Sequence, residues 1–163
     1  MANPSIDPPS WRIHRRGLVL AAVLGMGALA TARAAPRPSL VEVWKAPSCG
    51  CCKDWIFHLE TNGFQVKVHD TGNTAARARL GIPMQLGSCH TAQIEGYAIE
   101  GHVPAREIRR LLGERPSAVG LAVPGMPIGS PGMDGPAYGS RKDPYDVLLV
   151  RKDGSTTSYQ TYR

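Results

Sequence analysis

The chain has 163 residues, with 19 Lys and Arg against 13 Asp and Glu, and therefore a formal net charge of +6 at pH 7. Half of this excess lies in residues 1–34, where four arginines and one aspartate give +3. The rest of the chain contains no block of like charges, so its basic character is no argument for nucleic-acid binding.

Residues 1–34 have the organisation of an export signal. The stretch at 11–16 is basic, residues 17–30 are apolar and uncharged, and Ala-Arg-Ala at 32–34 is typical of a cleavage site. The apolar run of 14 residues is short for a membrane span, which needs about 20. We therefore predict a cleavable signal over 1–34 and a single mature domain over 35–163, with an uncleaved anchor as the alternative. Arg15–Arg16 also suits a twin-arginine signal, so Tat and Sec export both stay open.

The first half of the mature domain predicts strands and helices in alternation. LVEVW at 40–44 is rich in β-branched and aromatic residues, and FQVKVHD at 64–70 alternates apolar with polar residues, so both are predicted strands. A helix is predicted over 49–62, with Gly63 as its stop, and a short helix over 73–81. The buried face of the first helix consists of residues at helical spacing: Cys52, Trp55, Ile56 and Leu59.

The second half predicts strands, a helix and a closing hairpin. Residues 89–102 are predicted to form two short strands, and a helix is predicted to begin at Pro104 as its first residue and to end at Leu112, capped by Gly113. Residues 116–136 contain five prolines and five glycines and are predicted to be loop. The last residues form a hairpin around Asp153–Gly154.

The order of these elements, with a C-x-x-C motif between the first strand and the first helix, is that of a thioredoxin-like α/β fold. We predict a central mixed sheet with flanking helices and a C-terminal β-hairpin. In such a fold the first strand delivers the cysteines to a helix N-terminus, where the helix dipole and free backbone N–H groups favour thiolate over thiol. Lys53 would act in the same direction.

The four cysteines allow several pairings. Cys49 and Cys52 qualify as a redox dithiol, but Cys51 between them would scramble their disulfide by exchange. Cys89 is a further candidate partner, so two structural disulfides, Cys49–Cys52 and Cys51–Cys89, form another alternative. A domain of this size rarely needs such disulfides for stability.

A metal site would use all the thiols at once, because soft thiolates select copper(I), zinc or iron–sulfur clusters. Zinc on Cys49, Cys52, Cys89 and His90 is compatible with the ligand types but leaves Cys51 unused. The spacing matches no known iron–sulfur motif. Copper(I) tolerates bridging thiolates, so that a dense cluster of sulfurs can hold more than one ion.

Four weaker candidates for metal ligands lie outside the cysteine motif. Met126 and Met133 occupy a Pro/Gly loop with no helical face to bury them, and thioethers suit copper(I). His90 follows Cys89 directly, and His102 is predicted near the cysteines at a strand end; each has a structural role as its alternative. Two other histidines, His58 and His69, are predicted to lie on the surface.

No residue pattern predicts a hydrolase or a kinase, since G-x-S-x-G, P-loop and dinucleotide motifs are all missing. The motifs that are present resemble a known family. VEVWKAPSCGCCKDW, LGSCHTA, GYAIEGHVPA, AVGLAVPGMPIGSPGM and DPYDVLL are similar to the exported CopG copper-resistance proteins, which are distinct from the ribbon-helix-helix regulators of the same name. The similarity covers the chain from about Leu40 to its end.

This resemblance implies a thioredoxin-like fold, a periplasmic location and a thiolate-bridged multi-copper centre that changes redox state, on Cys49, Cys51, Cys52 and Cys89. The hypothesis is a copper(I)-binding protein of copper resistance, with copper ions and other periplasmic copper-handling proteins as partners and no membrane span after cleavage. Whether it is a copper oxidoreductase is left open. The alternatives are a metal-free thiol–disulfide oxidoreductase using Cys49 and Cys52, and a zinc-stabilised interaction module.

Overall fold

The computed structural model describes residues 39–163, and the predicted signal and its cleavage site lie outside the described residues. Seven strands and three α-helices make up this part of the chain, with a helix after the first, the second and the fourth strand. In order they are β1 (Leu40–Lys45), α1 (Gly50–Thr61), β2 (Gln65–His69), α2 (Thr74–Arg79), β3 (His90–Ile94), β4 (Tyr97–Glu100), α3 (Ala105–Glu114), β5 (Gly120–Ala122), β6 (Tyr145–Val150) and β7 (Thr156–Tyr162).

The seven strands form one sheet in the order β2-β1-β3-β4-β5-β6-β7. The β1–β2 and β4–β5 pairs are parallel, and the other four neighbouring pairs are antiparallel. This mixed sheet with few helices confirms the predicted α/β class, and β6 and β7 form the predicted C-terminal hairpin. No helix of residues 39–163 combines the length and the hydrophobicity of a membrane span.

The core lies between the sheet and α1 and α3. Its largest buried side chain is Trp55, which is fully inside and donates a hydrogen bond from Nε1 to the carbonyl oxygen of Val103 at 2.8 Å. Other fully buried members come from both layers: Val41, Val43, Leu59, Ile99, Ile108, Leu111 and Leu121. Each such aliphatic side chain stabilises the fold by about 1.5–3 kcal/mol. The predicted buried face of α1 is confirmed.

The helix α3 differs from its prediction at both ends. Pro104 is the residue before the helix rather than its first residue, and the helix continues through Gly113 to Glu114. The chain turns at Arg115 instead, which adopts a left-handed conformation (φ 50°) while its N–H bonds to the carbonyl of Leu111 at 2.9 Å. A glycine can stay helical when its neighbours pack well, so Gly113 alone did not end the helix.

The predicted loop at 116–136 contains the short strand β5, which the Pro/Gly content concealed. This strand lies between β4 and β6 and is fully buried. Gly120 is required there, because a Cβ atom would lie 1.7 Å from the carbonyl oxygen of Ala98 on β4. At the other side of the sheet, β2 is an edge strand whose Val68 is 40% exposed, so its expected alternation of buried residues holds only in part.

Candidate metal centre

The cysteine motif lies where β1 ends and α1 begins. The chain turns after Lys45, and the N–H of Cys49 bonds to the carbonyl of Ala46 at 3.1 Å, which makes Cys49 the residue that caps α1. Within residues 39–163, the side chain of Cys49 makes no capping hydrogen bond and no acidic residue occupies the first turn of α1. The partial positive charge of the helix N-terminus is therefore available to the sulfur atoms of Cys51 and Cys52.

The four cysteine sulfurs lie within 4.8 Å of one another. Cys49 and Cys52 are joined in a disulfide, with Cα atoms 5.4 Å apart. Cys51 is a free thiol whose Sγ lies 3.6 Å from that of Cys49 and 3.8 Å from that of Cys89. The structure thus brings together all four predicted ligands, two as a disulfide and two as half-buried free thiols.

Cys89 reaches the motif because β3 pairs with β1. Their antiparallel register places His90 opposite Lys45, so Cys89 lies beside the turn that carries the other cysteines. Burial, and next the proximity of Cys51, raise the pKa of the Cys89 thiol to about 12. A ligand for this sulfur must therefore displace a firmly held proton, as a thiophilic metal ion does.

His102 faces Cys89 with an imidazole nitrogen. Its Nε2 lies 3.1 Å from Cys89 Sγ, while its Nδ1 lies 2.8 Å from the carbonyl oxygen of Pro131. A carbonyl can only accept, so Nδ1 carries the proton and Nε2 presents its lone pair towards the sulfur. Burial lowers the pKa of His102, which favours the neutral form that binds metals.

His90 is fully buried and also lies close to Cys89. Its Nδ1 lies 3.4 Å from Cys89 Sγ, and its Nε2 has no hydrogen-bond partner among the described residues. The ring packs against Trp55 at 4.2 Å between centroids and edge-on against His102 at 5.0 Å. Burial holds its pKa below the ordinary histidine value. Cys89, His90 and His102 thus form a second group of ligand atoms that shares one sulfur with the first.

The two methionines of the Pro/Gly loop are placed differently. Met126 is half exposed, and its Sδ lies 4.0 Å from Cys51 Sγ, so it reaches the sulfur cluster. Met133 is buried, and its Sδ accepts a hydrogen bond from the hydroxyl of Tyr138 at 3.4 Å. The described contacts bring Met126, but not Met133, to the cysteines.

Several residues near the site carried no signal that the sequence analysis used. The backbone N–H of Ser88 donates to Glu100, its carbonyl accepts from Arg77 and its hydroxyl donates to the carbonyl of Gly125, while the carbonyl of Pro131 orients His102. Gly132 packs so closely on α1 that a Cβ atom would lie 2.6 Å from the carbonyl oxygen of Cys51. Gly132 was a usable signal in the sequence, because a glycine in a Pro/Gly loop can mark a place where the backbone comes close to a neighbouring element.

The prediction that His58 and His69 are surface residues holds only in part, because each is partly exposed but packs against other residues. His58 is half-buried, and its Nε2 accepts a hydrogen bond at 3.1 Å from the backbone N–H of Ala105, the first residue of α3. His69 is 29% exposed in its side chain and stacks on Trp44 with 4.9 Å between ring centroids. Both are structural residues away from the cysteines.

The fold and the site together define an α/β protein with a cysteine-rich candidate metal centre. Two solved structures described as copper resistance protein CopG, forms 1 and 2, are 48% and 46% identical to the chain, each with a TM-score of 0.71. They match over 77% of this chain and over 98% and 99% of their own lengths. The chain therefore belongs to the family of CopG copper-resistance proteins, which confirms the resemblance inferred from its motifs.

A family model described as a protein of unknown function, DUF411, matches residues 86–133. This segment contains Cys89, both histidines of the site and both loop methionines, but not the C-x-C-C motif. No curated protein matches the chain.

Proposed function

We propose that this chain is a periplasmic copper-binding protein of copper resistance that holds copper(I) on Cys49, Cys51, Cys52 and Cys89. One observation carries the proposal: a sulfur from the start of β3 joins three sulfurs at the N-terminus of α1, all within 4.8 Å. So close a group of thiolates supports bridging ligation, and with it a site for more than one ion.

The donor set fits a soft metal ion. Thiolates and thioethers select copper(I), and Met126 adds a thioether 4.0 Å from Cys51. The helix N-terminus stabilises the negative charge of several thiolates, and the neutral imidazole of His102 offers a nitrogen lone pair beside Cys89. Copper on this set would give the site its redox chemistry, and a copper oxidoreductase activity is an extension of the proposal.

Two of the four sulfurs are tied up in the Cys49–Cys52 disulfide. Binding through all four thiolates requires its reduction, in which two electrons and two protons from an external thiol reductant convert the S–S bond into two S–H groups. The sequence of β1, motif, α1 and β2 supports a thioredoxin-like arrangement, a scaffold that suits this chemistry, and the N-terminal signal supports export to the periplasm.

Anaerobic titration of the reduced protein with copper(I), followed by metal analysis, tests the proposal. We expect more than one tightly held copper per chain, and loss of most of it when Cys51→Ser and Cys89→Ser are combined. Met126→Leu should weaken binding, whereas the matched variant Met133→Leu should not. Less than one tight copper per chain, or full retention by the double cysteine variant, would overturn the proposal.

The disulfide favours a second candidate function, a metal-free thiol–disulfide oxidoreductase using Cys49 and Cys52. In that case Cys51→Ser should keep activity on disulfide substrates, and copper should not affect it. The zinc-stabilised module rests on the group of Cys89, His90 and His102. It predicts that zinc copurifies with the protein and that no redox wave is seen in voltammetry.

A further inference from the structure

Ser88, the residue before Cys89, is bound through its backbone in both directions. Its N–H donates to Glu100 Oε1 at 2.7 Å. Its carbonyl oxygen accepts from Arg77 Nη2 at 2.5 Å and from Asn73 Nδ2 at 3.1 Å. Three side chains, from α2, from the residue before it and from the end of β4, therefore fix the peptide that leads into Cys89.

The two charged side chains at this peptide are buried. Glu100 is fully inside and Arg77 is 9% exposed. Arg77 Nε donates to Glu100 Oε1 at 2.9 Å, and Thr91 Oγ1 donates to the other carboxylate oxygen at 2.6 Å. The desolvation free energy of a buried ion pair is often larger than the attraction between its two charges, so the presence of the pair is weak evidence for stability. Its hydrogen bonds to the backbone of Ser88 suggest another role.

The side chain of Ser88 contacts the loop that carries Met126. Its hydroxyl donates to the carbonyl oxygen of Gly125, the residue before Met126, and the N–H of Gly125 bonds to the carbonyl of Gly87 at 3.2 Å. Behind it, Gly101 (φ 70°) leaves no spare room, because a Cβ atom there would lie 2.5 Å from Ser88 Oγ. Ser88 thus links the Cys89 segment to the Met126 loop.

We infer that Arg77, Glu100 and Ser88 form a clamp that positions Cys89 and Met126 against Cys51. The three are positioning residues, since none of them contributes a sulfur or imidazole ligand. As far as copper is concerned, the inference rests on the proposed function; the placement of the Cys89 thiol does not depend on copper. Without the clamp, the Cys89 segment gains freedom and its sulfur leaves the cluster more often.

The reactivity of Cys89 in metal-free protein tests the clamp directly. In a Cys51→Ser background with the Cys49–Cys52 disulfide intact, Cys89 is the free thiol, and iodoacetamide measures its accessibility. Glu100→Gln and Arg77→Met should both accelerate alkylation several-fold. A purely electrostatic effect moves the two in opposite directions, because removing a negative charge favours the thiolate and removing a positive charge disfavours it.

Glu107→Gln is the matched control. Glu107 is also buried (1% exposed) and also accepts from an arginine, Arg106, but it lies on α3 and bonds to no residue of the site. The Glu107→Gln substitution should lower the unfolding temperature as Glu100→Gln does, yet it should leave the alkylation rate of Cys89 unchanged. Equal acceleration by Glu107→Gln, or wild-type rates for Glu100→Gln and Arg77→Met well below their unfolding temperatures, would overturn the clamp.

Copper(I) affinity, measured by competition with a chromophoric chelator, supplies the second readout. Glu100→Gln should weaken it by about 10- to 100-fold, as loss of a residue that orients a metal ligand typically does. Ser88→Ala covers the case in which the charge variants do not fold, because it removes only the hydroxyl, with its bond to Gly125 and its longer contact to Cys89 Sγ at 3.9 Å. It should weaken binding, and its effect should become smaller in a Met126→Leu background, where only the contact to Cys89 is left to lose; an undiminished effect there contradicts the link. Absence of copper binding by the wild type would refute the proposed function, while the alkylation contrast would still decide the clamp.

Discussion

Glu100 at the end of β4 and Glu107 on α3 are both buried, and each accepts hydrogen bonds from an arginine and a hydroxyl. The two glutamates differ in their remaining hydrogen-bond partners. Glu100 binds the backbone of Ser88 and so fixes the path of the chain into the cysteine site. Glu107 binds side chains alone, Arg106 and Tyr162, and joins α3 to β7. A buried carboxylate can position a backbone segment or connect two elements of the fold. Its hydrogen-bond partners show which of these two roles it has.

The regions around these two glutamates contrast in the same way. At the hairpin, polar groups and arginines pair with one another: Tyr159 and Tyr162 donate to carboxylates, and Arg110 stacks on Tyr159 at 4.0 Å. At the cysteine site, His90 Nε2 has no partner among the described residues, and the free thiols contact one another and other groups able to bind metal: the two histidine rings and the Met126 sulfur. The cysteine site thus combines an unpartnered buried nitrogen with clustered sulfur atoms, while in the hairpin region the named polar groups are paired with one another.

The largest expected effect comes from Gly132→Ala, which disturbs the cysteine region alone. The new Cβ would lie 2.6 Å from the Cys51 carbonyl at a φ of 83°, so backbone strain and overpacking should cost about 2–4 kcal/mol of unfolding free energy. Urea unfolding measures this cost. Gly135→Ala is the control in the same loop, because its Cβ meets nothing within 4 Å. Similar stability of the two variants would show that the loop does not press on α1.

A smaller effect is expected for Tyr162→Phe, which breaks the hairpin region alone. Buried Glu107 loses the hydroxyl that donates to it at 2.8 Å, and a hydrogen bond to a charged group is worth about 1–2 kcal/mol when another donor remains. Tyr159→Phe removes the equivalent bond to exposed Glu114 and should destabilise the protein less than Tyr162→Phe does, because solvent screens that carboxylate. Neither variant should change the alkylation of Cys89, and a change would mean that the two regions are coupled.

The smallest effect concerns His58, which connects α1 to α3. Burial lowers the pKa of His58 in the folded protein below its ordinary value of 6.5. Between the lowered pKa and pH 6.5, the unfolded chain therefore binds a proton that the folded chain does not. Stability should therefore be full above pH 6.5 and fall as the pH decreases below it. His58→Gln, whose amide oxygen can still accept from Ala105, should reduce this slope. Burial lowers the pKa of His90 and His102 as well, so part of the slope should remain.

Urea unfolding at a series of pH values from 8 to about 5 measures the slope. The free energy of wild type and variant should differ little at pH 8, because the glutamine oxygen replaces Nε2 as the acceptor. An identical slope in His58→Gln would contradict the assignment of His58 as a group that must stay neutral to cap α3.

The predictions from sequence succeeded where spacing along the chain fixes the answer. The buried face of α1 follows from helical periodicity, and the closing hairpin from the turn at Asp153–Gly154. They failed where distant segments decide. The strand β5 owes its existence to β4 and β6 on either side, and His58 owes its role to the arrival of α3 above it. Neither the strand β5 nor the role of His58 can be predicted from local composition, because strand pairing and burial are set by tertiary contacts.

The sequence by itself determined the family, the α/β class and the identity of the sulfur atoms, since the C-x-C-C spacing, the SCHT motif and the alternating apolar patterns are local properties. Only the tertiary structure decided which atoms meet. The β1–β3 register brings Cys89 to α1, the Pro131 carbonyl selects the nitrogen of His102 that faces sulfur, and the loop delivers Met126 rather than Met133. These are distances between segments far apart in the chain, and packing, not spacing, sets them.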